Sequence, residues 1–104
     1  MKKQYLDARL SGALGDLPGE YTTDKDDHER LLSLMAKAGW NYRLEIGKVV
    51  RVVFTQQTAR NFTHVGPAGT GTDLLRSIMI YTANAAGKAL GIIPTPRPAQ
   101  EVRP

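Results

Sequence analysis

The chain has 104 residues, no cysteine, two histidines, and 14 lysines and arginines against 10 acidic residues, for a net charge of +4. That length suits one domain with a single core, and the missing thiols exclude disulfides, thiolate metal sites and cysteine nucleophiles. His28 and His64 lie too far apart to form a histidine pair, the apolar runs are too short to cross a bilayer, and Asp7 and Arg9 break the N-terminal stretch where an export signal needs a continuous apolar block, so a cytoplasmic protein without metal, cofactor or membrane is expected.

The positive excess is not spread evenly. Between residues 41 and 72, Arg43, Lys48, Arg51 and Arg60 stand against Glu45 alone. A bias of this kind attracts phosphates, although it is not the dense stripe of a dedicated nucleic-acid binder.

In chain order, residues 1–22 read as an N-terminal arm. Leu6, Leu10, Leu14 and Leu17 recur at helical spacing, but Gly12, Gly15, Pro18 and Gly19 interrupt them. Leucines on such an arm need cover, either from the domain itself or from a neighbouring chain.

The domain proper is expected over 23–91, and it opens on a helix. Thr23 stands three residues before Asp26 as a capping pair, and Asp24, Asp26 and Asp27 suit the positive end of the helix dipole. Leu31, Leu32, Leu34, Met35 and Ala38 fall on one arc, with Gly39 placed to end the helix in the left-handed conformation.

Two β-rich runs follow, WNYRLEI and KVVRVVFT, joined around Gly47-Lys48. A two-residue turn would mix charged and apolar side chains on each face. One further loop residue aligns Tyr42 and Leu44 with Val50, Val52 and Phe54 and leaves Arg43, Glu45, Arg51 and Val53 opposite, so the longer turn is the predicted one. NFTHV makes a third, shorter strand.

A second helix is expected from Thr70 or Thr72 to between Ala86 and Leu90. Its apolar arc, from Leu74 through Ile78 and Tyr81 to Leu90, is wider than one sheet face can cover, and Ala83, Ala85, Ala86 and Gly87 allow close backbone approach. A second packing surface is therefore expected, from the arm or from another subunit of a homo-oligomer. Residues 92–104, with Pro94, Pro96, Pro98 and Pro104, read as an extended or disordered tail. The predicted fold is α+β in two layers, a three-stranded antiparallel sheet packed by two helices.

The order helix, three strands, helix resembles the double-stranded RNA-binding domain. That resemblance implies phosphate contacts from a basic cluster at the start of the last helix and from the loop between the first two strands. Here the helix start reads TGTDLLRS, without the family's paired lysines, and the loop EIGKV is shorter than the family's. The compact, arm-bearing chain also resembles the small accessory proteins of bacteriophages and prophages.

The candidate site residues cluster around the glycine-rich loop GPAGTGT. Amides of Gly69, Thr70, Gly71 and Thr72 at a helix mouth suit an oxyanion, with Arg60 or Arg76 adding charge. The bland alternative is a Thr70–Asp73 capping box that closes those amides internally. Arg43, Lys48 and Arg51, beside Trp40 and Tyr42, make a basic hairpin able to hold phosphates or stack bases, and Phe62 and His64 extend the aromatic set. Against this stand a solvated sheet face paired with Glu45 and a Trp40 that closes the core. No set of side chains combines acid, base and nucleophile, so no catalytic residue and no enzyme is expected. The leading expectation is a non-catalytic module for a phosphate-bearing partner, most simply nucleic acid. The others are an oligomeric phage-type protein that sequesters a small nucleotide signal, and an inhibitor that blocks a protein through the leucine arm and Ile80.

Overall fold

A computed structural model describes residues 2–56 and 61–94 of the chain, with side chains from Leu6 onward. Three helices, α1 (Lys2–Leu14), α2 (Lys25–Lys37) and α3 (Thr72–Ala89), and three strands, β1 (Asn41–Ile46), β2 (Val49–Thr55) and β3 (Asn61–Pro67), follow in the order α1-α2-β1-β2-β3-α3. The strands form one open antiparallel sheet with β2 in the middle. This is the α+β architecture predicted, with the arm folded as a third helix.

The hairpin takes the longer of the two turns weighed. Tyr42 pairs with Phe54, Leu44 with Val52 and Ile46 with Val50, while Phe62 and His64 continue the same face on β3. Alternation makes that face apolar, and Val50, Val52 and Phe54 are fully buried on it. The opposite face carries Arg43, Glu45, Arg51, Thr63 and Val65.

Helix α2 starts one residue later than the capping pair implied. Asp24, not Thr23, is the N-cap, its Oδ1 accepting from the amides of Asp26 and Asp27 at 2.8 and 3.1 Å. Thr23 instead donates its hydroxyl to Glu20 Oε1. The reason is local: aspartate is at least as good a cap as threonine, and only its carboxylate also gains from the helix dipole. At the other end Gly39 has φ +95°, and the amides of Gly39 and Trp40 return to Ala36 and Met35. Such a closure satisfies two carbonyls that the last turn leaves open.

Much of the wide apolar face of α3 is covered within the chain, although Leu75 stays 42% exposed. Leu6 and Leu10 are buried on α1, which packs on α3, and Leu6 Cδ1 and Ile93 lie so close to Gly87 that a side chain there would have to push them aside. Of the two covers considered, the arm supplies this one. Ile92 and Ile93, placed in the tail by the sequence, are tied to the helix end by amide bonds to the Gly87 carbonyl and pack on the core. The remainder of the proline-rich segment lies outside the described residues.

Candidate functional site

The turn between α1 and α2 is held by a polar network. Tyr21 is fully buried, its hydroxyl donating to Asp16 Oδ2 at 2.9 Å and meeting Ser11 Oγ at 3.0 Å. Arg30 joins Asp16 and Asp27 at 2.7 Å each, and the remaining Asp27 oxygen accepts from the Glu20 amide at 2.8 Å. The hydrogen bond to Arg30 holds the Asp16 carboxyl below its ordinary range, and the Glu20 amide, then Arg30, do the same for Asp27. Both stay ionised, so Thr22 and Thr23 are presented on a preformed turn.

Across from that turn stands the start of α3. Gly71 is its N-cap, at φ +58°, and no side chain caps the helix. The Thr70–Asp73 capping box does not form. Gly69 lies against the Asp73 backbone too closely for any larger residue, and the Asp73 and Leu74 amides take the Thr70 and Gly71 carbonyls. Thr72 and Arg76, four residues apart, share one face of the first turns, and both are exposed.

Between them lies a cleft of about 430 Å³, lined by Thr22, Thr23, Thr72, Leu75, Arg76 and Met79. It brings a positive helix end, one guanidinium and three hydroxyl-bearing side chains to one place over a partly apolar wall. The Thr22 hydroxyl is buried with no hydrogen-bond partner among the described residues. Such a set favours an oxyanion, by hydrogen bonds and by charge.

The remaining candidates lie elsewhere. Lys48 sits in the turn at the end of the sheet where Val49 faces Pro67, the same end at which the glycine loop leaves β3. Arg43 and Arg51 occupy the outer face, where both meet Glu45, at 3.1 and 3.5 Å. Arg60 lies outside the described residues.

The aromatic set is turned inward, which removes the stacking platform. Trp40 is 8% exposed and meets Phe62 edge-on at 5.7 Å, and Tyr42 packs on Phe54 and shares a 3.1 Å hydrogen bond with Thr82. His64 lies beneath α3, beside Tyr81, with Lys88 Nζ 3.2 Å from its Nδ1. Lysine has no acceptor, so it donates, and the neutral ring carries its proton on Nε2. Burial, then the lysine charge, push the His64 pKa down, and burial does the same to Lys88.

Thr22 and Thr23 were missed as site residues by sequence reading. They directly precede α2 and stand dozens of positions before the glycine loop in sequence, and only the packing of α1, α2 and α3 brings the two segments together. Set beside known protein families, curated proteins and solved structures, the chain matches none. No described helix is long and apolar enough to cross a membrane.

Proposed function

We propose that this chain is a non-catalytic binding module for a phosphate-bearing partner, whose phosphate sits at the first turn of α3. The observation that carries this reading is the pairing of an uncapped helix start with Arg76, one turn on and exposed, facing the threonines of the α1–α2 turn. A phosphate there accepts from Arg76 and the Thr72 hydroxyl and gains from the helix dipole, the charge-assisted bond to Arg76 being roughly twice as strong as a neutral one.

The test is thermal unfolding of the full chain in increasing inorganic phosphate at constant ionic strength. A ligand that binds only the folded state raises Tm with its concentration. The rise is expected for the wild type and lost in Arg76→Ala, whose Tm without phosphate stays unchanged. A wild-type Tm indifferent to phosphate removes the reading.

Nucleic acid is the second reading, supported by the register that sets the Lys48 turn and the glycine loop at one end of the sheet. Its cations are few, and Glu45 occupies both Arg43 and Arg51. If it holds, affinity for DNA or RNA falls steeply with salt, and Lys48→Ala lowers the slope by about one.

A further inference from the structure

The two edges of the sheet differ in how their outward backbone groups are used. Hydrogen-bonded and open pairs alternate along an antiparallel ladder, and the Gly47 amide bonds to the Val49 carbonyl, so Glu45 with Arg51 and Arg43 with Val53 exchange bonds inside the sheet. By the same alternation Tyr42, Leu44 and Ile46 turn their backbone groups to the open side of β1, and Thr63 and Pro67 turn theirs to the open side of β3. At the β3 edge α3 takes them up. Lys88 Nζ donates to the Thr63 carbonyl at 3.0 Å, the Tyr81 hydroxyl donates to the Pro67 carbonyl, and Pro67 has no amide to offer. Nothing comparable serves β1, which carries no proline and, among the described residues, pairs with β2 alone.

An unpaired strand edge is a template for another strand. The strand that fits this one is its own copy. Two copies related by a two-fold axis through the sheet set outer residues opposite outer ones and core residues opposite core ones. Centred on Leu44, that register places Arg43 opposite the second copy's Glu45, and Glu45 opposite its Arg43. With the centre moved by one residue, Arg43 meets Arg43 or Glu45 meets Glu45, and like charges directly opposite are destabilising. In the favoured register Leu44 faces Leu44 as a hydrogen-bonded pair, so the charged pairs fall at the alternate positions, where side chains come closest. Arg43 and Glu45 already meet along the strand at 3.1 Å, with side chains 68% and 50% exposed. Each Glu45 would lie between its own Arg43 and the second copy's, which extends the internal contact without breaking it.

Ile46 gives an observation independent of the charges. It stands on the core face of the sheet, opposite the fully buried Val50, yet it is 54% exposed, since α3 packs on β2 and β3. In the same register the second copy's Tyr42 lies opposite Ile46 and gives it cover. The chain's own tail is a poor substitute, because Pro94, Pro96 and Pro98 have no amides for the edge.

We infer that β1 is a self-association edge, on which a second copy pairs antiparallel about Leu44 and joins two three-stranded sheets into one. The inference is independent of the phosphate reading.

The experiment is sedimentation equilibrium of the full chain. A strand pair of this length lies at the small end of protein interfaces, so a dissociation constant on the order of 100 µM is expected, with the mass rising from 11.4 kDa toward twice that value. Arg43→Glu and Glu45→Arg each set like charges opposite and weaken association by about tenfold or more. Mixed in equal amounts, the two variants face each other with opposite charges and recover the wild-type affinity, a rescue that misfolded chains could not give. Hydrogen exchange adds a second readout, in which the amides of Tyr42, Leu44 and Ile46 gain protection as concentration rises.

A chain still monomeric about tenfold above that constant, variants that associate as the wild type does, or a mixture without recovery overturns the inference. Protection of those three amides at every concentration, in a monomer, also overturns it and assigns the edge to a segment of the same chain.

Discussion

The ring of Tyr81 fills the space that a side chain on Gly66 would need, and its hydroxyl donates to the Pro67 carbonyl at 2.9 Å. This contact seats α3 on the last residues of β3 and so fixes where the glycine loop releases the helix toward Thr22. Gly66→Ala is expected to destabilise by about 1–3 kcal/mol through overpacking. The cost should persist with Tyr81→Phe and shrink with Tyr81→Leu, a non-additivity read by urea unfolding of the single and double variants.

Leu10 is fully buried on α1, so the arm belongs to the core. Leu10→Ala is expected to cost about 2–5 kcal/mol, the range for emptying a packed leucine site. Leu17, 77% exposed, offers a control whose alanine variant stays within about 0.5 kcal/mol of wild type. Equal, small effects at the two positions in chemical unfolding would contradict a folded, docked α1.

Asp24→Ala removes the acceptor that holds the Asp26 and Asp27 amides. A loss of about 1 kcal/mol is expected, against a few tenths at most for Asp24→Asn. Thr23→Ala, which loses only an exposed bond to Glu20, should cost less than Asp24→Ala. The order of the three melting temperatures decides which residue is the cap.

Stability should fall as pH drops below the ordinary histidine value of 6.5. Burial depresses the pKa of His28, and burial with Lys88 depresses that of His64. In that window the unfolded chain binds more protons than the folded one, so unfolding free energy rises with pH and is lost on acidification. His28→Gln should flatten the pH dependence of Tm between about pH 6.5 and 5. A second loss belongs below 3.8, where Asp16 and Asp27, held low by Arg30 and the Glu20 amide, take up protons.

Arg43→Ala and Arg51→Ala should leave stability within about 0.5 kcal/mol, since both pair with Glu45 on the exposed outer face of the sheet. They should also leave phosphate-dependent stabilisation intact, because neither residue lines the cleft beside Arg76. Loss of the phosphate effect in either variant would move the site to the outer face of the sheet.

The sequence by itself determined α2, α3, the three strands and the sheet register, and showed α1 only as an arm. Period-2 and helical patterns are local, and only the longer hairpin turn made one face of β1 and β2 apolar. Gly39 and the small residues of α3 were legible because a left-handed φ and a close approach each demand them. The tertiary structure alone decided where the candidate residues stand. Whether Asp73 would close the helix start depended on where the glycine loop folded, and whether Trp40, Tyr42, Phe62 and His64 faced a ligand depended on which sheet face α3 covered. The meeting of Thr22 with Arg76 arises from three helices packing together, a long-range contact that no local pattern in the chain encodes.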